Sequence, residues 1–222
     1  MRRRRAPSTP RVAPVELAGL VEAAADDLGA GVLLEGVRLA AVELPPVNLA
    51  GAELTEVLFE GVGADDVDLT GARLREVSFA GVRFTSLRAV RGDWQDSQLS
   101  GRLGVVDGHG ARWRSVMLTG CKVDLLSLRG AEVEDLLLRD CRVDELDLSG
   151  ARVNRVRLES TRVGTLEAAE LRSDHLDLRG AEIERFVNLA SLRGALVTPD
   201  QVVSWAPLLA DALGLRVVAA TV

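Results

Sequence analysis

The chain offers few side chains that could do chemistry, and their spacing limits how they could act. Its two cysteines, Cys121 and Cys141, stand twenty residues apart, and its two histidines, His109 and His175, fall at unrelated registers. A bound zinc needs three or four Cys, His or carboxylate ligands converging on one point, and a nucleophilic cysteine needs a base beside it. Neither set assembles here. Lys122 is the only lysine, and there is no Gly-x-x-x-x-Gly-Lys loop to cradle a phosphate. Carboxylates are plentiful, but arginines are interleaved with them, so no pair stands out as an acid with its base. The expectation is a protein that is not an enzyme, with no catalytic residue, no cofactor and no metal, which leaves binding as its work.

Charge says where binding would occur. Five of the 27 basic residues lie in the first 11 positions, leaving 22 against 33 acidic residues from position 12 onward, a balance of −11. That excess is uneven: residues 12–111 hold 7 basic and 16 acidic residues, and residues 112–222 hold 15 and 17. Glu53, Glu56, Glu60, Asp65, Asp66, Asp68 and Glu76 form a candidate acidic partner surface in the first half. Such a surface repels nucleic acid and attracts a basic groove. In the second half Arg114, Arg129, Arg139, Arg142, Arg152, Arg155, Arg157 and Arg162 dilute it.

The element that must position these side chains is a repeat. Leu118, Val123, Leu128, Val133, Leu138, Val143, Leu148, Val153, Leu158 and Val163 recur every five residues. Two places before each sits a second small or apolar row that includes Val116, Cys121, Leu126, Ala131, Leu136 and Cys141. Five residues of α-helix rotate a side chain by roughly 140°, so no apolar stripe forms. In a straight strand an odd period throws successive members onto opposite faces. A chain that runs extended for a few residues and then turns, always in the same sense, directs both rows to one axis. Identities at a lag of twenty, as in Leu118, Leu138, Leu158 and Leu178, make four sides to a coil. Gly51, Gly61, Gly71 and Gly81 recur on every second side, as two diagonal glycine corners require.

Val47-Asn-Leu-Ala-Gly51, Val67-Asp-Leu-Thr-Gly71, Val77-Ser-Phe-Ala-Gly81 and Leu146-Asp-Leu-Ser-Gly150 resemble the pentapeptide repeat proteins, whose pattern is Ala/Val, Asp/Asn, Leu/Phe, Ser/Thr/Arg, Gly. The resemblance covers roughly residues 32–197. It implies an all-β solenoid, a four-sided right-handed β-helix with about twenty residues per coil and short α-helical caps at both ends. With no chemistry in the residues, the main reading of function is a protein-binding scaffold, and the resemblance implies an alternative. That alternative is a DNA mimic of the quinolone-resistance type, which occupies the DNA site of gyrase or a related topoisomerase. Bacterial members often dimerise through a C-terminal cap, which implies a homodimer here.

Along the chain, residues 1–13 read as a disordered basic tail, either a solvated leader or an anion-binding arm. Residues 14–29, with Leu17, Leu20, Val21, Ala24 and Leu28 at helical spacing, read as a capping helix of about four turns or an interaction helix. Residues 30–197 form the solenoid, with one residue lost near 99–103. The beat weakens over 85–112, where a distorted corner or a projecting loop is expected. Trp94 in that strip and Trp113 just after it either fill the axis or stand out as a recognition strip. Cys121 and Cys141 stack in neighbouring coils, as small hydrophobes or within disulfide reach. Residues 198–222 form a helical cap, with Thr198 as N-cap, one short helix through Trp205 and a second turn from Pro207. Val202, Val203, Trp205, Leu208, Leu209 and Leu213 form its candidate dimer face, although a monomeric cap uses the same residues. No run reaches the ~20 apolar residues of a membrane span, and the chain reads as cytoplasmic.

Overall fold

The structure, a computed structural model, describes residues 9–218, and the run Arg2–Arg5 lies outside them. The repeats wind into an all-β right-handed solenoid of about eight coils. The strands pair in parallel with the strand one coil away, and outside one short coil the repeats keep the register that the twenty-residue identities require: Leu54 with Leu74, Val123 with Val143, Leu138 with Leu158. Both apolar rows point to the axis and are buried from Leu49 to Phe186, forming one continuous core.

Each coil has four sides, and the outward residue between the two apolar rows stacks into a column on each. On the first side the column runs Glu53, Arg73, Asp93, Arg112, Glu132, Arg152. The second carries Leu58, Ser78, Gln98, Met117, Leu137. Gly63, Arg83, Arg102, Lys122, Arg142 and Arg162 make up the third. The fourth holds Asp68, Arg88, Asp107, Ser127 and Asp147. The structure also explains the Asp/Asn of the repeat. Asn48, Asp68, Asp107 and Asp147 accept hydrogen bonds from the backbone N–H two residues on, at 2.9–3.0 Å, and so hold the following corner.

Three corners, not two, use left-handed backbone. Beside the two glycine rows a third row runs Gly36, Glu56, Glu76, Asp96, Ser115, Asp135, Arg155, with φ between 48° and 65°. Only the first of these is glycine, so no residue type marks the turn.

The weak strip is not a loop. Extended segments Arg73–Arg88 and Asp93–Asp107 run through it, and one coil is a residue short. Phe79 pairs with Leu99, but Val82 pairs with Gly101, so a single residue, Ser100, spans a corner that takes two in the coil below. Gly101 makes this possible: a Cβ there would lie 2.1 Å from the Val82 carbonyl oxygen. Trp94 and Trp113 sit beside this short corner with no exposed surface. Their rings stack at 5.0 Å, continuing a ladder from Phe59 through Phe79. They fill the axis and are not surface anchors. Neither indole N–H has a partner among the described residues.

The two ends differ from expectation in opposite ways. Over residues 14–29 there is no four-turn helix, only the short strand Val21–Glu22, paired with the first coil, and one 3-10 turn, Ala25–Asp27. Residues 9–20 are instead an extended arm laid along the second side. The Arg11 N–H donates to Asp135 Oδ1 at 2.8 Å, and Val15 exchanges two hydrogen bonds with the Gln98 amide. Residues 9–13, expected to be disordered, therefore lie against the solenoid. Pro10, Val12, Val15, Leu17 and Leu20 are half-buried between exposed neighbours, an extended pattern, and Gly19 has a φ of 70° that no helix allows. Half-burying five aliphatic side chains returns roughly 5 kcal/mol, and three hydrogen bonds add roughly 3 kcal/mol. Ordering about ten residues costs a nearly equal amount, roughly 8 kcal/mol at the low end of about 0.8 kcal/mol per residue. The arm is marginally held.

At the other end one helix, α1 (Pro199–Ala212), replaces the two short turns expected. Thr198 and Gln201 form a capping box, and the Gln201 amide also donates to the carbonyls of Leu178 and Ala181, closing the open edge of the last coil. Trp205 packs edge-on against Phe186 at 5.1 Å. The helix runs through Pro207. Pro207 has no N–H to donate to the carbonyl of Val203, and it costs the helix little there because Val203 is 76% exposed.

Candidate interaction surface

The cysteines are internal. Cys121 and Cys141 are free and buried, and Thr161 follows them in the same column. All three donate alike: Cys121 to the Leu99 carbonyl, Cys141 to Leu118 and Arg139, Thr161 to Leu138 and Glu159. They hold corner carbonyls. The hydrogen bond with Cys141 and burial push the Cys121 thiol up, so it keeps its proton. His109 is exposed and His175 half-buried, on different corners. Among the described residues no group of three or more His, Cys, Asp or Glu is placed to hold a metal, and no helix is long and apolar enough to cross a membrane.

The seven carboxylates of the acidic surface are spread around the whole perimeter. Glu53 stands on the first side, Glu56 and Glu76 on the corner after it, Glu60 on the next, Asp65 and Asp66 on the third corner, and Asp68 on the fourth side. Four of them face arginine: Glu53 with Arg73 and Glu60 with Arg38, both at 2.5 Å, and Asp66 and Asp68 with Arg88 at 2.9 and 3.4 Å. Burial alone would push Asp68 up, but hydrogen bonds at Thr70 and the Arg88 charge outweigh it and hold the carboxyl below the usual range. Asp65 accepts from the Thr85 hydroxyl at 3.4 Å.

Glu56 and Glu76 make no ion pair among the described residues, and Asp96, one coil further on, accepts only from the Gln95 amide. These three stack at the coil repeat of about 4.8 Å on the left-handed corner. Asp96 was not in the expected set, although it lies twenty residues after Glu76 and before the lost residue, so a lag of twenty applied to charge would have found it. Further along the same row the sign changes. Arg155 grips Asp135 through two bonds of 2.6 Å and reaches Glu134 at 2.5 Å. Burial would push Asp135 up, but Arg155 and the Arg11 N–H hold it below the ordinary value.

A feature that composition concealed stands on the third side. Arg83, Arg102, Lys122, Arg142 and Arg162 occupy five consecutive coils in one column, along two shallow grooves. Arg83 reaches over Gly63 to Glu43 two coils away, Arg142 meets Asp144 at 3.4 Å, and Arg162 meets Glu182 at 2.8 Å. A lag of twenty, applied to charge as well as to leucine, finds Arg102, Lys122, Arg142 and Arg162 directly, and Arg83 joins them once the one-residue slip is placed.

On the C-terminal cap, Trp205 is buried against the last coil and Leu208 and Leu209 are half-buried, whereas Val202, Val203 and Leu213 are 46%, 76% and 65% exposed. The six residues of the expected dimer face thus divide between closing the solenoid and facing outward.

No family model matches the chain, and no curated protein matches it. Solved structures do. Two trypsin-treated forms of QnrB1, a plasmid-mediated fluoroquinolone resistance protein, align with TM-scores of 0.35 and 0.34 at 14% and 15% identity, covering 85% of this chain and 92% and 91% of theirs. HetL, a pentapeptide repeat protein involved in heterocyst differentiation regulation from the cyanobacterium Nostoc sp. strain PCC 7120, aligns at 0.27 and 17% identity over 69% of this chain and 90% of its own. What places the fold is the chain's own repeat: with two buried residues in every five and a coil in every twenty, the architecture is a β-solenoid built of five-residue repeats.

Proposed function

We propose that the protein acts without chemistry of its own, by binding another protein through the acidic corner of its first half. The observation that carries this is the backbone of Glu56, Glu76 and Asp96. They hold φ values of 53°, 54° and 48°, in a row that opens with Gly36. A side chain there costs of order 1 kcal/mol, and the three charges are left unpaired. Side chains kept at a cost, on an edge and of one sign, fit a partner with a basic groove.

The acidic row favours the sharper form of this reading, in which the groove is the DNA site of gyrase or a related topoisomerase. Fluoroquinolone resistance, the property for which QnrB1 is known, is the phenotype that this form expects. The cationic column on the third side favours the broader form, a scaffold for a partner of mixed charge. In either form two copies join through the outward face of α1, where Val202, Val203 and Leu213 lie.

The deciding experiment is a supercoiling assay with DNA gyrase, with and without a fluoroquinolone, at two salt concentrations. Inhibition or drug protection at low salt, absent from a variant carrying Glu56→Gly, Glu76→Gly and Asp96→Gly, supports the topoisomerase form. No effect at large protein excess removes it and leaves the scaffold, to be pursued by pull-down with the same variant as control.

A further inference from the structure

The second side differs from the other three in what lies outside it. Its column Leu58, Ser78, Gln98, Met117, Leu137 is the least charged of the four, and the extended arm runs over it. Leu137 is only 5% exposed although it points away from the axis, and it stands apart from the axial core. Gln98 hydrogen-bonds to the main chain of the arm: its Oε1 accepts from the Val15 N–H at 3.2 Å and its Nε2 donates to the Val15 carbonyl at 3.4 Å. Ser78 holds that amide in place, accepting from Nε2 at 2.9 Å. Two coils away Asp135 accepts another main-chain N–H, that of Arg11.

A bidentate amide that hydrogen-bonds only main chain and a carboxylate that accepts a main-chain N–H, with aliphatic side chains between them, recognise an extended peptide largely through its backbone. We propose that this side is a docking surface for an extended partner segment with aliphatic residues at alternating spacings of two and three, and that residues 10–20 are its resident, displaceable occupant. The arm shows the chemistry that the site accepts: Val12, Val15, Leu17 and Leu20 half-buried, polar residues and alanines outward. Its few bonds and partial burial make exchange feasible. The inference rests on the protein-binding reading but uses other side chains. Loss of the topoisomerase effect on mutating Glu56, Glu76 and Asp96 leaves it untouched, and its own failure leaves that effect untouched.

The test uses the full chain and a fluorescent peptide of residues 9–20, read by anisotropy. Val12→Asp, Val15→Asp and Leu17→Asp together open the surface, and this variant is expected to bind the peptide at least tenfold tighter than the native chain. Adding Gln98→Ala or Leu137→Asp is expected to weaken that binding at least tenfold, and a peptide with Asp at the positions of Val15 and Leu17 is expected not to bind. A second peptide with Ile or Leu in place of each aliphatic residue is expected to bind as well as the first. In the native chain, excess peptide should speed hydrogen exchange at the Arg11 and Val15 amides severalfold, which tests the idea even where the triple variant does not fold. No binding to a folded opened chain, or binding indifferent to Gln98 and Leu137, overturns the proposal. So does concentration-dependent self-association of the opened chain without peptide uptake, which would make a second copy the occupant.

Discussion

The two ends of the solenoid solve the same problem with different strengths. Each must cover a coil whose strand edge is open. At the C-terminal end α1 does so with a capping box, a glutamine that satisfies two edge carbonyls and a tryptophan on Phe186. At the N-terminal end a two-residue strand and one 3-10 turn do so, and the rest of the segment leaves the end to lie along a side. The first closure is built into the core. The second is an attachment to the surface, and attachments can be exchanged.

The largest effect that separates them is at Trp205. Trp205→Ala should lower stability by about 3 kcal/mol, the usual cost of deleting a buried aromatic ring, seen as a lower urea midpoint with an unchanged slope. An equal loss from opening the arm would erase the distinction. Thr198→Ala, which removes the N-cap, should cost about 1 kcal/mol and can be measured in the same way. At the other end Val15→Asp with Leu17→Asp should shift the midpoint by less than about 1 kcal/mol, since half-buried side chains of a marginal element are involved. Trypsin cleavage after Arg11 should nevertheless become severalfold faster, and a large global loss with no local opening would show the arm to be part of the core.

The arm's attachment also has a pH signature. Asp135 is held below the ordinary carboxylate value of about 3.9 in the folded chain. Its contribution is therefore complete above that value and is lost as pH falls through the lower folded one. Arm protection should stay flat from pH 7 to 5 and decline only below about pH 4. Loss between pH 7 and 5 would point to a different group. The smallest expected effect is at the acidic corner: Glu56→Gly should leave stability unchanged or raise it by up to about 1 kcal/mol. A clear loss would mean that the glutamate is there for the fold and not for a partner.

The sequence by itself determined the coil. A five-residue period repeated over eight coils leaves one way to bury two residues in every five, so the axis, the parallel register, the stacking of Phe59 on Phe79 and the lost residue near Leu99 were all legible. So was the N-cap at Thr198, because a cap is a local bond between neighbours. Two things were not legible. The third left-handed corner is filled by Glu56, Glu76 and Asp96, whose type does not report their φ. The arm was misread because Leu17, Leu20, Ala24 and Leu28 satisfy a helical spacing, while the true pattern at Val12, Val15, Leu17 and Leu20 has the two-three spacing of an extended chain lying on a surface. Only the tertiary structure decided these, and the physical reason is the same for both. Inward positions are constrained by the packing of one axis, so every coil repeats them. Outward positions are constrained only by what lies against them, and that is set by contacts between residues as far apart as Arg11 and Asp135.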